Sequence, residues 1–196
     1  MKKTIIMILL AVAAVTASAQ APVVSLRAGA GFSDITGEDS DDSSNRFSYG
    51  VRLGVNLPLY GVWSVHTGVG VVKKGTEECV YTIPTSSTNK INAYYLDIPA
   101  QLAARLEVPS FDIILRGGPY LSVGMGGKIR GYGHCRTFGD GRESIRNVDS
   151  GLGLGVDFEF DDGLIIGLDA SYGLRRLRHG ESIYNRSILL SAGFLF

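Results

Sequence analysis

Ten ionisable side chains stand at alternate positions in this chain, and together they can do one kind of chemistry: pair with one another away from water. Arg27, Arg52, Arg105, Arg116 and Arg175 face Asp97, Asp112, Asp157, Glu159 and Asp169. Most of them are flanked by apolar residues, so they belong to the polar side of a two-residue repeat. The signs balance, as a set of enclosed charges requires if none is to be left uncompensated.

Other candidates carry less. Ser64 and His66 share a face, but residues two apart on a strand lie about 6–7 Å apart, too far for a nucleophile–base hydrogen bond. No acid partner completes a triad, so His66 is expected to fill space. Cys79 and Cys135, with His134 and His179, supply two thiols and two imidazoles. No CxxC or HxxxH spacing supports zinc there. A Cys79–Cys135 disulfide or two free thiols remain, and an oxidising compartment favours the disulfide. Glu38-Asp39-Ser40-Asp41-Asp42 lacks the glycine and closing glutamate of a calcium loop. It reads as a solvated acidic run, with weak sharing of divalent cations with lipopolysaccharide as the sharper alternative. No catalytic residue, cofactor or metal ligand set emerges.

The elements that must position the charges are strands. In Arg46–Leu57 every second residue (Phe47, Tyr49, Val51, Leu53, Val55, Leu57) is apolar, and those between are polar or glycine. At about twelve residues it exceeds the usual five or six of a globular strand and suits a tilted crossing of a bilayer. The same alternation recurs at Val24–Phe32, Trp63–Val71, Tyr94–Arg105, Phe111–Met125, Leu152–Phe160, Leu164–Arg175 and Ile188–Phe196. Within the fourth of these in chain order Pro99 cannot donate to a ladder, and a β-bulge is expected there. Polar loops are expected at 33–45, 73–90, 126–149 and 176–185, alternating with short turns at 58–61, 107–110 and 161–163. The last is of the Asp-Gly hairpin type.

Eight strands with long and short connections in alternation predict an eight-stranded antiparallel up-and-down transmembrane β-barrel, all-β. Placing both termini in the periplasm puts every long loop outside the cell. Phe32, Phe47, Tyr49, Tyr94 and Tyr172 then fall at the outer rim. Trp63, Phe111, Phe158, Phe160, Phe194 and Phe196 fall at the periplasmic rim, with aliphatic residues between. Two aromatic girdles about an aliphatic band are what lipid interfaces select. A lipocalin-type barrel would point its apolar face inward. Here the glycine-rich, charged face is expected to line the lumen, since turning Arg52 into lipid would cost about 2–4 kcal/mol near midplane.

Met1-Lys2-Lys3, an apolar run to Val15 and Ala17-Ser18-Ala19 form a secretory signal, cut after Ala19. The domains are therefore a signal peptide at 1–19 and a barrel at 20–196. Losing Lys2 and Lys3 takes the formal charge from 0 to −2, which argues against nucleic acid as a partner.

At Tyr95-Leu96-Asp97-Ile98-Pro99 the chain resembles the PorT-like outer-membrane β-barrel domain proteins of Gram-negative bacteria. Gly117-Gly118-Pro119-Tyr120 and Ser191-Ala192-Gly193-Phe194-Leu195-Phe196 are similar to that family too. The resemblance spans the mature chain and implies a membrane barrel in the outer membrane without catalytic residues. The closing Phe196 resembles the signal read by barrel-insertion machinery, although Gly193 stands nearer the end than usual. The partners expected are outer-membrane lipid, lipopolysaccharide and that machinery, and the barrel is expected to be a monomer. A structural or surface-interaction role with a charge-filled lumen leads. A binding or transport barrel for a small hydrophobic or saccharide ligand is second, and an outer-membrane enzyme third.

Overall fold

The computed structural model describes residues 21–37, 43–82, 85–130, 138, 146–177 and 182–196, with side chains described except at 43–44, 76–91 and 128–130. The strands are β1 (Val23–Gly37), β2 (Ser43–Pro58), β3 (Trp63–Thr82), β4 (Thr85–Val108), β5 (Phe111–Arg130), β6 (Val148–Phe160), β7 (Leu164–Gly173) and β8 (Ile183–Leu195). Each pairs antiparallel with its neighbours in sequence, and β8 closes on β1 through Ala28 opposite Ala192. Closure gives every strand a partner on both sides within the wall.

Burial is inverted relative to a water-soluble protein. Leu154 and Leu190 are 65% and 63% exposed, whereas Arg116 and Asp157 are 3% and 0% exposed. Alternation makes this inevitable once the register is set: outward positions 152, 154 and 158 of β6 are apolar, and inward 157 and 159 are acidic. Aromatic rings gather toward the ends of the outer face. Phe47 lies 6.0 Å from Tyr49, and Phe111 lies 5.8 Å from Phe158 and 6.0 Å from Phe160.

Three expectations need correction. The segment 73–90 is strand except at its tip, and 126–149 is strand at both ends: β3 runs to Thr82, β4 starts at Thr85, β5 reaches Arg130 and β6 starts at Val148. Likewise β1 reaches Gly37 and β2 starts at Ser43. A strand with water on both sides needs no apolar face, so its alternation vanishes from the sequence while its backbone ladder persists. Secondly, Pro99 causes no bulge. The register with β5 is the same on both sides of it, Ile98 opposite Leu121 and Leu102 opposite Gly117. The shift lies instead between Tyr94 and Tyr95, where β5 carries one extra residue, Met125. The Pro99 carbonyl accepts from the Thr67 hydroxyl at 2.8 Å. Thirdly, β7 ends at Gly173, so Arg175 lies beyond the wall and is exposed.

Candidate functional site

The lumen is where the inward charges meet. Arg116 on β5 is the hub. Its Nε and Nη2 donate to the two oxygens of Asp157 on β6 at 2.6 and 2.7 Å, a planar fork on a carboxylate. Nη2 also donates to Asp169 on β7 at 3.0 Å, and Nη1 to the Gln101 side chain on β4 at 2.9 Å. Gly155 makes this possible, because a Cβ there would lie 2.7 Å from Arg116 Nη2. Arg27 on β1 reaches Asp157 from the other side at 2.6 Å. Arg52 on β2 spans the lumen to Asp97 on β4 at 2.9 Å and to Asp169 at 3.5 Å.

Toward the short-turn end Arg105 pairs with Asp112 and, at 2.7 Å, with Glu159. Arg105 is a third exposed there, so water weakens that pair. Nine of the ten charges read from the sequence thus share one interior. Arg175, beyond the end of β7, does not join them. Ser64 and His66 are buried in the same interior, and His66 sits opposite Asn56.

A second cluster went unseen because Lys74 and Asp149 fall in segments read as loops. Lys74 on β3 is buried between two tyrosine rings, 5.5 Å from the centre of Tyr95 and 4.7 Å from that of Tyr120. Its ammonium lies 3.8 Å from Asp149 on β6. Asp149 accepts from the Tyr120 hydroxyl at 3.2 Å and the Asn185 amide at 3.3 Å. The signal that could have found Lys74 is the alternation Gly68, Gly70, Val72, Lys74, which simply continues past position 73.

Above this cluster the interior becomes apolar. Ile35, Leu177 and Ile183 pack together with Phe138. The Phe138 ring meets Tyr95 edge-on at 5.4 Å. Gly124 gives it room, since a Cβ there would collide with the ring. From the short-turn end upward, the lumen therefore holds ion pairs, then a lysine between tyrosines, then an aliphatic and aromatic cap. The two cavities along the ion-pair region measure about 30 and 20 Å³, each enough for one or two water molecules.

Cys79's side chain, Cys135, His134, His179, the acidic run at 38–42 and the cleavage site at Ala19 lie outside the described residues. Among the described residues no group of three His, Cys, Asp or Glu is arranged to hold a metal ion. No helix among them is long and apolar enough to cross a membrane.

The sequence matches the family of outer membrane protein beta-barrel domains over residues 5–196. No curated protein matches it. Among solved structures, Neisserial surface protein A superposes with a TM-score of 0.55 at 10% identity, covering 90% of this chain and 100% of that one. Ail, the attachment invasion locus protein of Yersinia pestis, gives 0.42 at 14% identity, covering 90% and 100%. The N-terminal β-barrel domain of Pseudomonas aeruginosa OprF gives 0.40 at 14%, covering 90% and 98%. The neisserial protein carries the likeness in fold.

Proposed function

We propose a structural or surface-interaction role for this chain, which belongs to the family of outer membrane protein beta-barrel domains and so sits in a bacterial outer membrane. The observation that carries this reading is the filled lumen: Arg116 is locked to Asp157, Asp169 and Gln101 across the interior, and the cavities among the described residues of that region are small. An eight-stranded barrel is just wide enough for side chains to occupy, and among the described residues these fill the ion-pair region. What the protein offers is then its outer wall and the structure above it. The tall β3–β4 hairpin, reaching Thr82 and Thr85, is the part best placed to meet a partner outside the cell.

The same reading places the termini in the periplasm, assigns 1–19 to an export signal and 20–196 to the barrel, and makes the activity non-catalytic. The Tyr95–Pro99 motif supports a PorT-like branch of the family. Lipid, lipopolysaccharide and the insertion machinery are its partners, the last through Phe196.

Planar-bilayer recording of the purified barrel tests the plug: no steady conductance is expected, and a persistent ion-selective one would promote transport to first place. Protease treatment of intact cells tests the orientation, with cleavage in the β3–β4 hairpin expected. Cleavage only after the outer membrane is opened would reverse the orientation.

A further inference from the structure

The outer wall is not uniform. On β6, β7, β8 and β1 one lateral row reads Leu154, Ala170, Ile188, Phe32, each directly opposite the next. The row beneath it reads Val156, Leu168, Leu190, large on all three strands. The row above reads Leu152, Tyr172, Arg186. Ala170 is thus a small residue ringed by large ones. The result is a groove of about 650 Å³ on the apolar outer face, floored at Ala170 and walled by Leu152, Leu154, Tyr172, Ile188 and Phe32.

The groove ends in positive charge. Arg186, half exposed, stands at its loop-side end and is steadied by Asp34 at 3.1 Å. Just past β7, Arg175 and Arg176 are both exposed. Neither has an ion-pair partner among the described residues. The Leu174 and Arg175 amides both donate to the Ser150 carbonyl, at 2.8 and 3.3 Å, which holds this segment against the top of β6. Tyr172 and Tyr184 stack nearby at 6.4 Å, at the level where aromatic rings mark a membrane interface. Asp34 offsets the charge of Arg186, so the net positive charge at this end is that of Arg175 and Arg176.

We infer that this groove is a binding site for a phosphorylated, acylated lipid: an acyl chain lies over Ala170 and the phosphate meets Arg175, Arg176 and Arg186. This rests on the outer-membrane reading and on the long loops facing outward. An apolar slot continuous with a cationic rim at the interface matches an amphiphile with an anionic head, and arginine suits phosphate through its planar fork. A free phosphate would gain nothing from the slot, and an uncharged lipid nothing from the rim.

The test uses the full barrel in nanodiscs of phosphatidylcholine doped with bis-phosphorylated lipid A, with retained lipid counted by native mass spectrometry. Dephosphorylated lipid A is the comparison ligand. R175Q/R176Q is expected to weaken retention about ten-fold or more, each interfacial cation contributing severalfold. A170F, which fills the slot from the lipid side, should weaken it comparably while keeping the heat-shifted gel mobility of a folded barrel. K73Q should leave it unchanged: Lys73 is also an outward cation beside a ring, 5.4 Å from Tyr49, but stands on β3, across the barrel. Equal losses from K73Q and R175Q/R176Q, equal retention of dephosphorylated lipid, or no loss in either groove variant would each overturn the proposal. Such a failure, with the protein still fractionating with the outer membrane and its hairpin still cleaved on intact cells, would spare the broader reading.

Discussion

Arg116 shows how much one side chain can carry inside a barrel. It touches two carboxylates and an amide, and it is enclosed on all sides. Breaking an enclosed pair typically costs about 3–5 kcal/mol, because the partner keeps its charge and loses its compensation. The network softens that cost. Asp157 keeps Arg27 at 2.6 Å and Asp169 keeps Arg52 at 3.5 Å. Arg116→Met is therefore expected to destabilise the folded barrel by about 3 kcal/mol, the low end of that range. Arg105→Met, in a pair open to water, should cost about 1 kcal/mol or less. Urea unfolding of the two variants in the same detergent compares them, and equal losses would show that the interior is as wet at Arg116 as at Arg105. At the other end of the lumen, Gly124→Val should push the Phe138 ring off Tyr95. Its readout is loss of the Tyr95–Phe138 contact by NMR with the barrel still folded.

A strand in this wall answers to depth as well as to face. Leu168 lies midway along β7 and points outward, half exposed, between Val156 and Leu190. Phe47 points outward on β2 beside Phe32, in the outer aromatic belt. Leu168→Arg is expected to cost about 2–4 kcal/mol and Phe47→Arg about 0–1, the difference arising because only the second cation can reach the interface. Folding titrations into lipid vesicles measure both. The same logic explains why β1 to β5 outrun their alternation. Beyond Lys74 the β3–β4 ladder continues, with Glu77 opposite Lys90 and Cys79 opposite Thr88, where the sequence no longer alternates.

As a whole the barrel has a high wall and a low one. β3, β4 and β5 contain 20, 24 and 20 residues, whereas β6, β7 and β8 contain 13, 10 and 13. The high side carries the β3–β4 hairpin, and the low side ends close to Tyr172, Arg175 and Arg186. Closure of all eight strands predicts resistance to alkaline carbonate extraction and a gel mobility that changes on boiling. A protein released as a soluble species by carbonate would contradict the membrane assignment.

Much of this could be read in the sequence. Alternation over eight segments determined the strand count, the antiparallel order and which face each residue takes, because a two-residue period leaves a side chain no third choice. It also placed nine of the ten charges on a common interior. What it could not convey is distance across that interior. Arg52 and Asp97 are 45 positions apart with a whole strand between them, and only closure and register bring them to 2.9 Å. Lys74 and Asp149 escaped because they stand at the edge of the apolar band, where the alternation weakens and the flanking segments read as loops. Phe138, a single ring from the segment read as a loop, became part of the cap through Gly124 and Tyr95, contacts that no local signal encodes. Periodicity reports the face of a residue, which is local. Partnership depends on how a closed sheet curls, and that is decided only when β8 meets β1.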